Sequence, residues 1–563
     1  MCRSSLNAAG LLKSHHVRPD LLEHRYKVGD LVPLYVNRVD PYHNPSETYG
    51  YYSLPFCRPD HLEEKQETLG EILDGDRLVT APFNVKFLQR KDHEVACAKK
   101  LTREEVSQIL ATIKRDYFFQ MYCDDLPIWG FMGEGHRSPT KNSEHKYLLY
   151  QYFELEIFFN RDQIVDSFVG REMDIKLLYS VHWIETNAHY HERMKKYSAL
   201  HHSTSHHFSI INSCVTFLIL FGCLLIYYMR VTRKDFYDFI PEDAADRERT
   251  GWKCIRSDVF RYPKHRSLFA AALGSGAQLC ILTTFTLLLG LLGVFYPFDR
   301  GNLFIALIVL YTMTSGFAGY LAVLFYCQIE GKNWVILQLG KNLLLTGSLS
   351  SVPLFLVFCF LSTVAVSYKA NAALPLGTIL TLLLIWISLA LPLLASGGVA
   401  GQKSHGEFQD SCETSKCPRE VPSLVLAGLL PFSTIYIQLY NIFTSMWSHR
   451  VCTLYSAIFV IFIILLITTS LITMAVTHFQ LAAEDHRWWW RSFLCGGSVG
   501  LYVYGFCFYY YYWRSDFSGF LQLSFFFGYM AWICYCIFLM CGSVGFYASL
   551  LYVRHIYSSI KSD

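Results

Sequence analysis

Long apolar runs separated by short polar loops fill the chain from residue 208 to its C-terminus. A helix rises about 1.5 Å per residue and the hydrocarbon core of a bilayer is about 30 Å thick, so a run of roughly 20 apolar residues is long enough to cross it. Nine runs meet this length, at 208–229, 268–296, 303–327, 343–366, 374–396, 424–447, 451–477, 493–513 and 520–551. The sequence therefore predicts a membrane protein with a nine-helix α-helical transmembrane domain.

Composition supports a membrane protein that carries one additional soluble domain. Only 17% of the residues are charged, whereas soluble domains average about 25%. Residues 1–207 carry charges throughout and contain no run of spanning length. The formal net charge is +3 without a concentrated basic patch, so we expect no nucleic-acid partner.

The charges of the loops predict the orientation of the chain. Loop 230–267 and the alternate loops that follow it, together with the tail 552–563, carry 19 Lys and Arg residues. The opposite loops carry four. Because cytosolic loops are enriched in Lys and Arg, we expect loop 230–267 and the tail to be cytosolic and residues 1–207 to be lumenal, with eight further spans within 268–551.

Residues 1–207 are predicted to form a mostly-β lumenal domain. Short segments rich in β-branched and aromatic residues lie between turn residues at 32–39, 78–87, 147–159 and 177–183. One helix is predicted over 103–118, because Thr102 and Glu105 form a capping-box pattern.

Cysteines and histidines of this domain suggest a disulfide more than a metal site. An oxidising lumen permits a disulfide, and we predict that Cys57 and Cys97 pair, with Cys123 as the alternative partner. Fifteen of the 21 histidines precede residue 208, four of them at 201, 202, 206 and 207. A polar linker explains this group better than a pH-sensitive face or a metal site.

Catalytic chemistry has no candidate residues in this sequence. The predicted spans contain no Asp, Glu, Lys or Arg, and hydrolase, zinc-protease and nucleotide-binding motifs have no plausible match. We therefore expect no enzyme activity, cofactor or metal. The notable polar residues within the spans are Gln278, Gln438, Asn441 and Gln522, for which hydrogen bonding between helices is sufficient.

Prolines, glycines and aromatic residues of the spans suggest how the helices pack. Pro353, Pro392 and Pro431 are expected to kink helices. Glycine pairs at 274/276, 316/319 and 542/545 are expected to bring helices close together, and they could also receive foreign helices. Aromatic runs at 488–490 and 509–513 are interpreted as anchors at the two membrane interfaces.

Several sequence blocks resemble one known family over nearly the whole chain. The blocks include YKVGDLVPLYVNRVDPYHNPSETYGYYSLPFC (26–57), LGEILDGDRLV (69–79), GWKCIRSDVFRYP (251–263), FYCQIEGKNWV (325–335) and FQLAAEDHRWWWRSFLCGGS (479–498). They resemble the nonaspanins, the transmembrane 9 superfamily or endomembrane protein 70 family, and most resemble its plant branch.

This resemblance implies a role in sorting other membrane proteins. It implies residence in Golgi and endosomal membranes and transmembrane cargo proteins bound by helix packing in the lipid bilayer. It also implies a C-terminal Golgi-retention motif, Lys561 and Asp563, that coat protein I recognises. Tyr557 and Ile560 match a weaker tyrosine sorting motif. The alternative function is a transporter or channel for a small solute. Nonaspanins begin with a cleavable signal, which residues 1–20 do not provide, so we expect one to be encoded upstream.

Overall fold

The structure is a computed structural model. It describes residues 25–42, 47–59, 61–97, 99–136, 146–150, 152–172, 177–190, 205–237, 259–260, 263–295, 301–330, 336–404, 426–446, 455–483, 485–515 and 519–558. The chain divides into two compact units, which are treated separately below. The first comprises Met1–Thr68, Gly75–Leu200 and Ala370–Ala372, and the second comprises Leu69–Asp74, His201–Lys369 and Ala373–Asp563.

Strands dominate the first unit. Eleven are present in its described part: β1 (Leu34–Pro41), β2 (Tyr49–Gly50), β3 (Val79–Thr80), β4 (Lys91–Cys97), β5 (Tyr117–Cys123), β6 (Leu126–Phe131), β7 (Gly133–His136), β8 (Lys146–Leu149), β9 (Tyr152–Asn160), β10 (Gln163–Glu172) and β11 (Leu177–Glu185). They form three sheets. A five-stranded sheet has the order β2-β1-β5-β6 with β3 also on β1, a four-stranded sheet has the order β10-β9-β11-β4, and β7 pairs with β8.

One hydrophobic core lies between the two larger sheets. Val36 on β1, Met121 on β5, Ile157 on β9 and Val181 on β11 are almost completely buried and belong to one cluster. Since side chains alternate between the faces of a strand, this arrangement defines a two-layer sandwich. The predicted β-rich N-terminal region is therefore confirmed.

Local turns explain how neighbouring strands are joined and where the predicted boundaries were wrong. Asp124 and Asp125 both have positive φ and form the two-residue turn between β5 and β6. Asp116, at φ 51°, redirects the chain after the helix. The predicted helix 103–118 therefore ends at Lys114.

Two predicted strands are also corrected. Most of segment 78–87 is not a strand, because only Val79–Thr80 pairs with β1 and Pro82 has no amide hydrogen to donate. Segment 147–159 is two strands, β8 and β9, in different sheets. Tyr150, between them, donates its backbone N–H to the carbonyl oxygen of Met132, which extends the β7–β8 ladder by one pair before the chain enters β9.

Two helices originate in the N-terminal sequence: α1 (Leu69–Asp74) and α2 (Arg103–Lys114). Helix α2 has the predicted capping box, in which Glu105 N–H donates to Thr102 Oγ1 at 3.3 Å and Thr102 N–H donates to Glu105 Oε2 at 2.9 Å. Its buried residues Ile109 and Ile113 are spaced by four, so they lie on one face.

The second unit is built from long apolar helices. They are α3 (Ser205–Tyr237), α4 (Arg266–Leu291), α5 (Asn302–Glu330), α6 (Ile336–Ser367), α7 (Leu376–Ile385), α8 (Leu391–Lys403), α9 (Leu429–Met446), α10 (Tyr455–Ala482), α11 (Trp488–Trp513) and α12 (Phe520–Ser558). Helices α7 and α8 are parts of one span, joined by the π-helix Trp386–Ala390.

Within the described residues, eight of these spans are long and apolar enough to cross a membrane. Helix α9 occupies the remaining predicted span, 424–447, of which the structure describes residues 426–446. It also carries the polar residues Gln438 and Asn441. The order of helices otherwise agrees with the nine predicted spans.

Two of the predicted prolines affect their helices in identifiable ways. Pro353, inside α6, cannot donate to the carbonyl oxygen of Leu349, and Tyr535 OH of α12 donates to that oxygen at 2.9 Å instead. Pro392 follows the π-helix at the start of α8. Ser315 Oγ of α5 donates to the carbonyl oxygen of Ala390 at 3.1 Å, so this irregular turn is also hydrogen-bonded to a neighbouring helix. Pro431 lies in the first turn of α9, where an amide hydrogen would have no helical partner.

Candidate functional site

The six glycines selected from the sequence all lie at contacts between helices of the second unit. Gly274 of α4 faces Ala318 and Ala322 of α5, and Gly276 faces Leu539 and Ser543 of α12. A side chain at either glycine would overlap the neighbouring helix. Such close approach is typical of packing between membrane helices.

The other four glycines are used in the same way. Gly316 and Gly319 of α5 face α8, where Gly397 lies against Gly316 and Gly398 lies against Gly319. Gly542 of α12 faces the backbone of Phe493 in α11, and Gly545 faces Thr473 of α10. These glycines are therefore occupied inside the bundle and do not offer an open surface to a foreign helix.

Neutral polar residues form two seams between helices. The first lies on α6, where Asn342, Thr346 and Ser350 are spaced by four residues and buried. Asn342 Nδ2 donates to the carbonyl oxygen of Ala322 at 3.3 Å, and Ser350 Oγ lies 2.9 Å from Tyr311 OH. Uncharged hydrogen bonds of this kind hold helices together at low desolvation cost.

The second seam joins two parallel helices, α10 and α12. Thr473 Oγ1 donates to the carbonyl oxygen of Gly545 at 3.3 Å, and Thr477 Oγ1 donates to Ser549 Oγ at 2.9 Å. In each pair the two partners are 72 positions apart in the chain, so the two helices stay in register over this turn. Of the polar residues noted in the sequence, Gln278 Nε2 donates to the carbonyl oxygen of Tyr311 at 3.2 Å.

The tryptophans at 488–490 are not interfacial anchors alone, and the prediction was wrong for two of them. Trp488 and Trp489 are among the largest fully buried side chains of the protein. Trp488 Nε1 donates to the carbonyl oxygen of Val259 at 2.8 Å, and Trp490 Nε1 donates to that of Lys264 at 2.8 Å. The run thus packs the end of loop 230–267 against the start of α11. At the other end of α11, Tyr512 and Trp513 are exposed, as the predicted anchor requires.

A buried ion pair stabilises the same turn. Asp485 is 1% exposed, and its carboxylate accepts from Arg491 Nη1 and from the backbone N–H of Arg487, the latter at 3.0 Å. Since ion pairs of this kind orient the backbone around them, Asp485 fixes the connection between α10 and α11.

The predicted sorting and disulfide residues have different outcomes. Cys57 and Cys97 form a disulfide, with Cα atoms 6.1 Å apart, and Cys123 is buried outside it. Tyr557 lies in helix α12, is buried and contacts the ring of Phe260, so it is not presented as an accessible sorting signal. Ile560, Lys561, Asp563 and the histidines at 201 and 202 lie outside the described residues; His206 and His207 fall within α3. No group of three potential metal ligands occurs in the described part of the chain.

Helix α3 presents the most open apolar surface of the second unit. Only 6% of its apolar stretch is buried, against 17–61% for the other seven spans. Five exposed residues and the half-buried Gly222 form a stripe spaced alternately by four and three positions: Ile211, Val215, Leu218, Gly222, Leu225 and Met229. Spacing of this kind forms the contact seam of left-handed helix pairs.

Gly222 lies in the centre of this stripe. No atom lies within 4 Å of the position a side chain would take there. A small residue at the centre of an apolar seam lets a second helix approach closely. We call this surface, formed by the six residues above, the α3 seam; its spacing is visible in the sequence, but its exposure is not.

The fold and these surfaces define a multi-pass α-helical membrane protein with a separate β-sandwich domain. The family model for endomembrane protein 70 matches residues 48–520. Transmembrane 9 superfamily member 3 of Arabidopsis thaliana is 55% identical, over 97% of this chain and 96% of the relative. Member 1 of Bos taurus is 37% identical, over 96% of this chain and 94% of the relative. No solved structure matches the chain. The chain belongs to the endomembrane protein 70 family, within the transmembrane 9 superfamily.

Proposed function

We propose that the protein sorts and localises other membrane proteins in Golgi and endosomal membranes, and that it is not an enzyme. The observation that carries this proposal is the α3 seam, which offers an open apolar stripe with a central glycine while the other small-residue pairs are occupied internally. A transmembrane helix is the chemical partner that such a stripe fits best in a bilayer. We infer that cargo helices bind there.

The orientation supports this role. Loop 230–267 and the tail 552–563 carry the basic residues expected of cytosolic segments. Coat protein I would then read Lys561 and Asp563 from the cytosol.

The cargo-binding proposal is tested by photocrosslinking in Golgi membranes. A photoreactive residue at Leu218, in the α3 seam, should crosslink to transmembrane segments of other proteins, and Gly222→Leu should reduce that yield. Matched controls are a photoreactive residue at Leu501, equally exposed on α11, and Gly505→Leu, where a side chain also meets no atom within 4 Å. Equal crosslinking from both positions, unchanged by Gly222→Leu, would reject the α3 seam as the binding surface.

A transporter for a neutral solute is the second candidate. It is favoured by the π-helix Trp386–Ala390 and by Pro353, since broken helices line substrate sites in many transporters. Solute flux into proteoliposomes discriminates the two functions. A saturable flux that Gly222→Leu leaves intact would favour the transporter over the sorting factor.

A further inference from the structure

One histidine of the N-terminal unit lies between carboxylates of two neighbouring strands. His182, on β11, has its Nε2 atom 3.2 Å from Glu154 Oε1 on β9 and 3.9 Å from Asp92 Oδ1 on β4. The parallel register of β9 and β11 also sets Glu156 opposite His182. The imidazole therefore bridges three adjacent strands of the four-stranded sheet.

The charges that face His182 are mostly negative. Glu154 and Glu156 come from β9 and Asp92 comes from β4, and Arg90 Nε lies 3.0 Å from Asp92 Oδ1. His93, the next residue of β4, stacks on the ring of Tyr152.

The remaining charged residues of β4 pair with each other. Lys91 Nζ lies 2.5 Å from Glu94 Oε2, and Tyr179 OH donates to the same carboxylate. These groups form a separate cluster, so the imidazole has an excess of negative charge on both sides.

Strand β4 is the least securely held strand of this sheet. It is an edge strand, its pairing with β11 is shifted at two places, and most of its residues are exposed. His93 lies in the left-handed region at φ 50°, which costs a non-glycine residue conformational energy. The disulfide through Cys97 fixes one end only, and Asp92 lies near the other.

We propose that His182 is a pH-sensitive clasp that holds edge strand β4 to the sheet in acidic surroundings and loosens it near neutral pH. A neutral imidazole can donate its Nε2 hydrogen to only one carboxylate at a time. A protonated imidazole carries a positive charge that attracts Glu154 and Asp92 together. Histidine is the side chain whose charge changes between pH 5 and 8, the range that separates neutral from acidic compartments.

Hydrogen exchange on the full-length protein in nanodiscs tests this clasp. After correction for intrinsic exchange rates, protection of peptides covering 90–97 should rise about fivefold from pH 7.4 to pH 5.5, the size of a partly exposed charge pair. His182→Gln should abolish the rise. His182→Arg, which keeps a positive charge, should give high protection at both pH values.

Two controls keep the result interpretable. His61→Gln changes an exposed histidine outside the four-stranded sheet and should leave the rise intact. Equal protection of β1 in all variants verifies folding. A wild-type rise that persists in His182→Gln, or a pH dependence in His182→Arg equal to that of the wild type, overturns the proposal.

Discussion

Asp40 provides a second, independent pH dependence in the N-terminal unit. This residue of β1 is completely buried, and neither of its carboxyl oxygens has a hydrogen-bond partner among the described residues. Arg38 Nε, 3.8 Å away, is its nearest counter-charge. Burial raises the pKa of Asp40 from 3.8 to about 7, although Arg38 opposes the rise.

The sign of the effect follows from linkage. Because the pKa of Asp40 is higher in the folded than in the unfolded protein, the folded protein binds this proton more tightly. The contribution of Asp40 to the free energy of unfolding is therefore greatest at acidic pH, and it is lost as the pH rises through about 7. A pKa of about 7 against 3.8 corresponds to a loss of about 2–3 kcal/mol in the free energy of unfolding between pH 5.0 and 7.4.

Asp40→Asn isolates this contribution, because the amide has a similar shape and carries no titrating proton. We expect the difference in unfolding free energy between the wild type and Asp40→Asn to change by about 2–3 kcal/mol from pH 5.0 to 7.4, with the variant gaining on the wild type at pH 7.4. Pulse proteolysis with proteinase K in a urea series, on the full-length protein in nanodiscs, measures this difference. A constant difference at both pH values would refute the reasoning. A change of opposite sign would mean that the ion pair with Arg38 outweighs burial.

Three further predictions concern helix contacts. Gly397→Leu should destabilise the membrane unit by about 3 kcal/mol in a detergent unfolding assay, because the new side chain overlaps the neighbouring backbone, whereas Gly222→Leu should change stability little. Trp488→Phe removes the hydrogen bond to Val259 and should destabilise this contact by about 1–2 kcal/mol. The loss should appear as faster tryptic cleavage of loop 230–267, and an unchanged cleavage rate would contradict the role of the indole. Thr102→Ala should destabilise α2 by about 1 kcal/mol, seen as faster hydrogen exchange over 103–114, and unaltered exchange would show that the cap is dispensable.

The membrane spans could be predicted from the sequence because the bilayer imposes a single length and polarity on each of them. Helix α9 illustrates the limit of that argument. Its position was predicted correctly, but its described residues, which include Gln438 and Asn441, are not among the eight spans long and apolar enough to cross a membrane. Strands of the N-terminal unit were harder to predict from the sequence. Strand β5, for example, is buried at every residue, so it has no alternation of polar and apolar positions to detect.

Side-chain environments were the least predictable part. Trp488 and Trp489 lie at the end of a span, where tryptophan usually contacts lipid headgroups. Only the tertiary structure reveals that Trp488 bonds to Val259 and that Trp489 packs on Phe269 and Phe546. His182 had no sequence signal, because Glu154 and Asp92 are distant in the chain and meet it only through strand pairing. For the α3 seam, spacing was available in the sequence and exposure was not.

The length of α12 has a consequence for how the C-terminus is presented. Its 39 residues extend about 58 Å, nearly twice the hydrocarbon thickness, so the helix continues well outside the bilayer. Near its C-terminal end, the buried Tyr557 packs on Phe260, and this contact holds the projecting part of the helix in place. Residues 559–563 can reach at most about 17 Å beyond Ser558. If coat protein I reads Lys561 and Asp563, as proposed, it must approach the end of α12 closely.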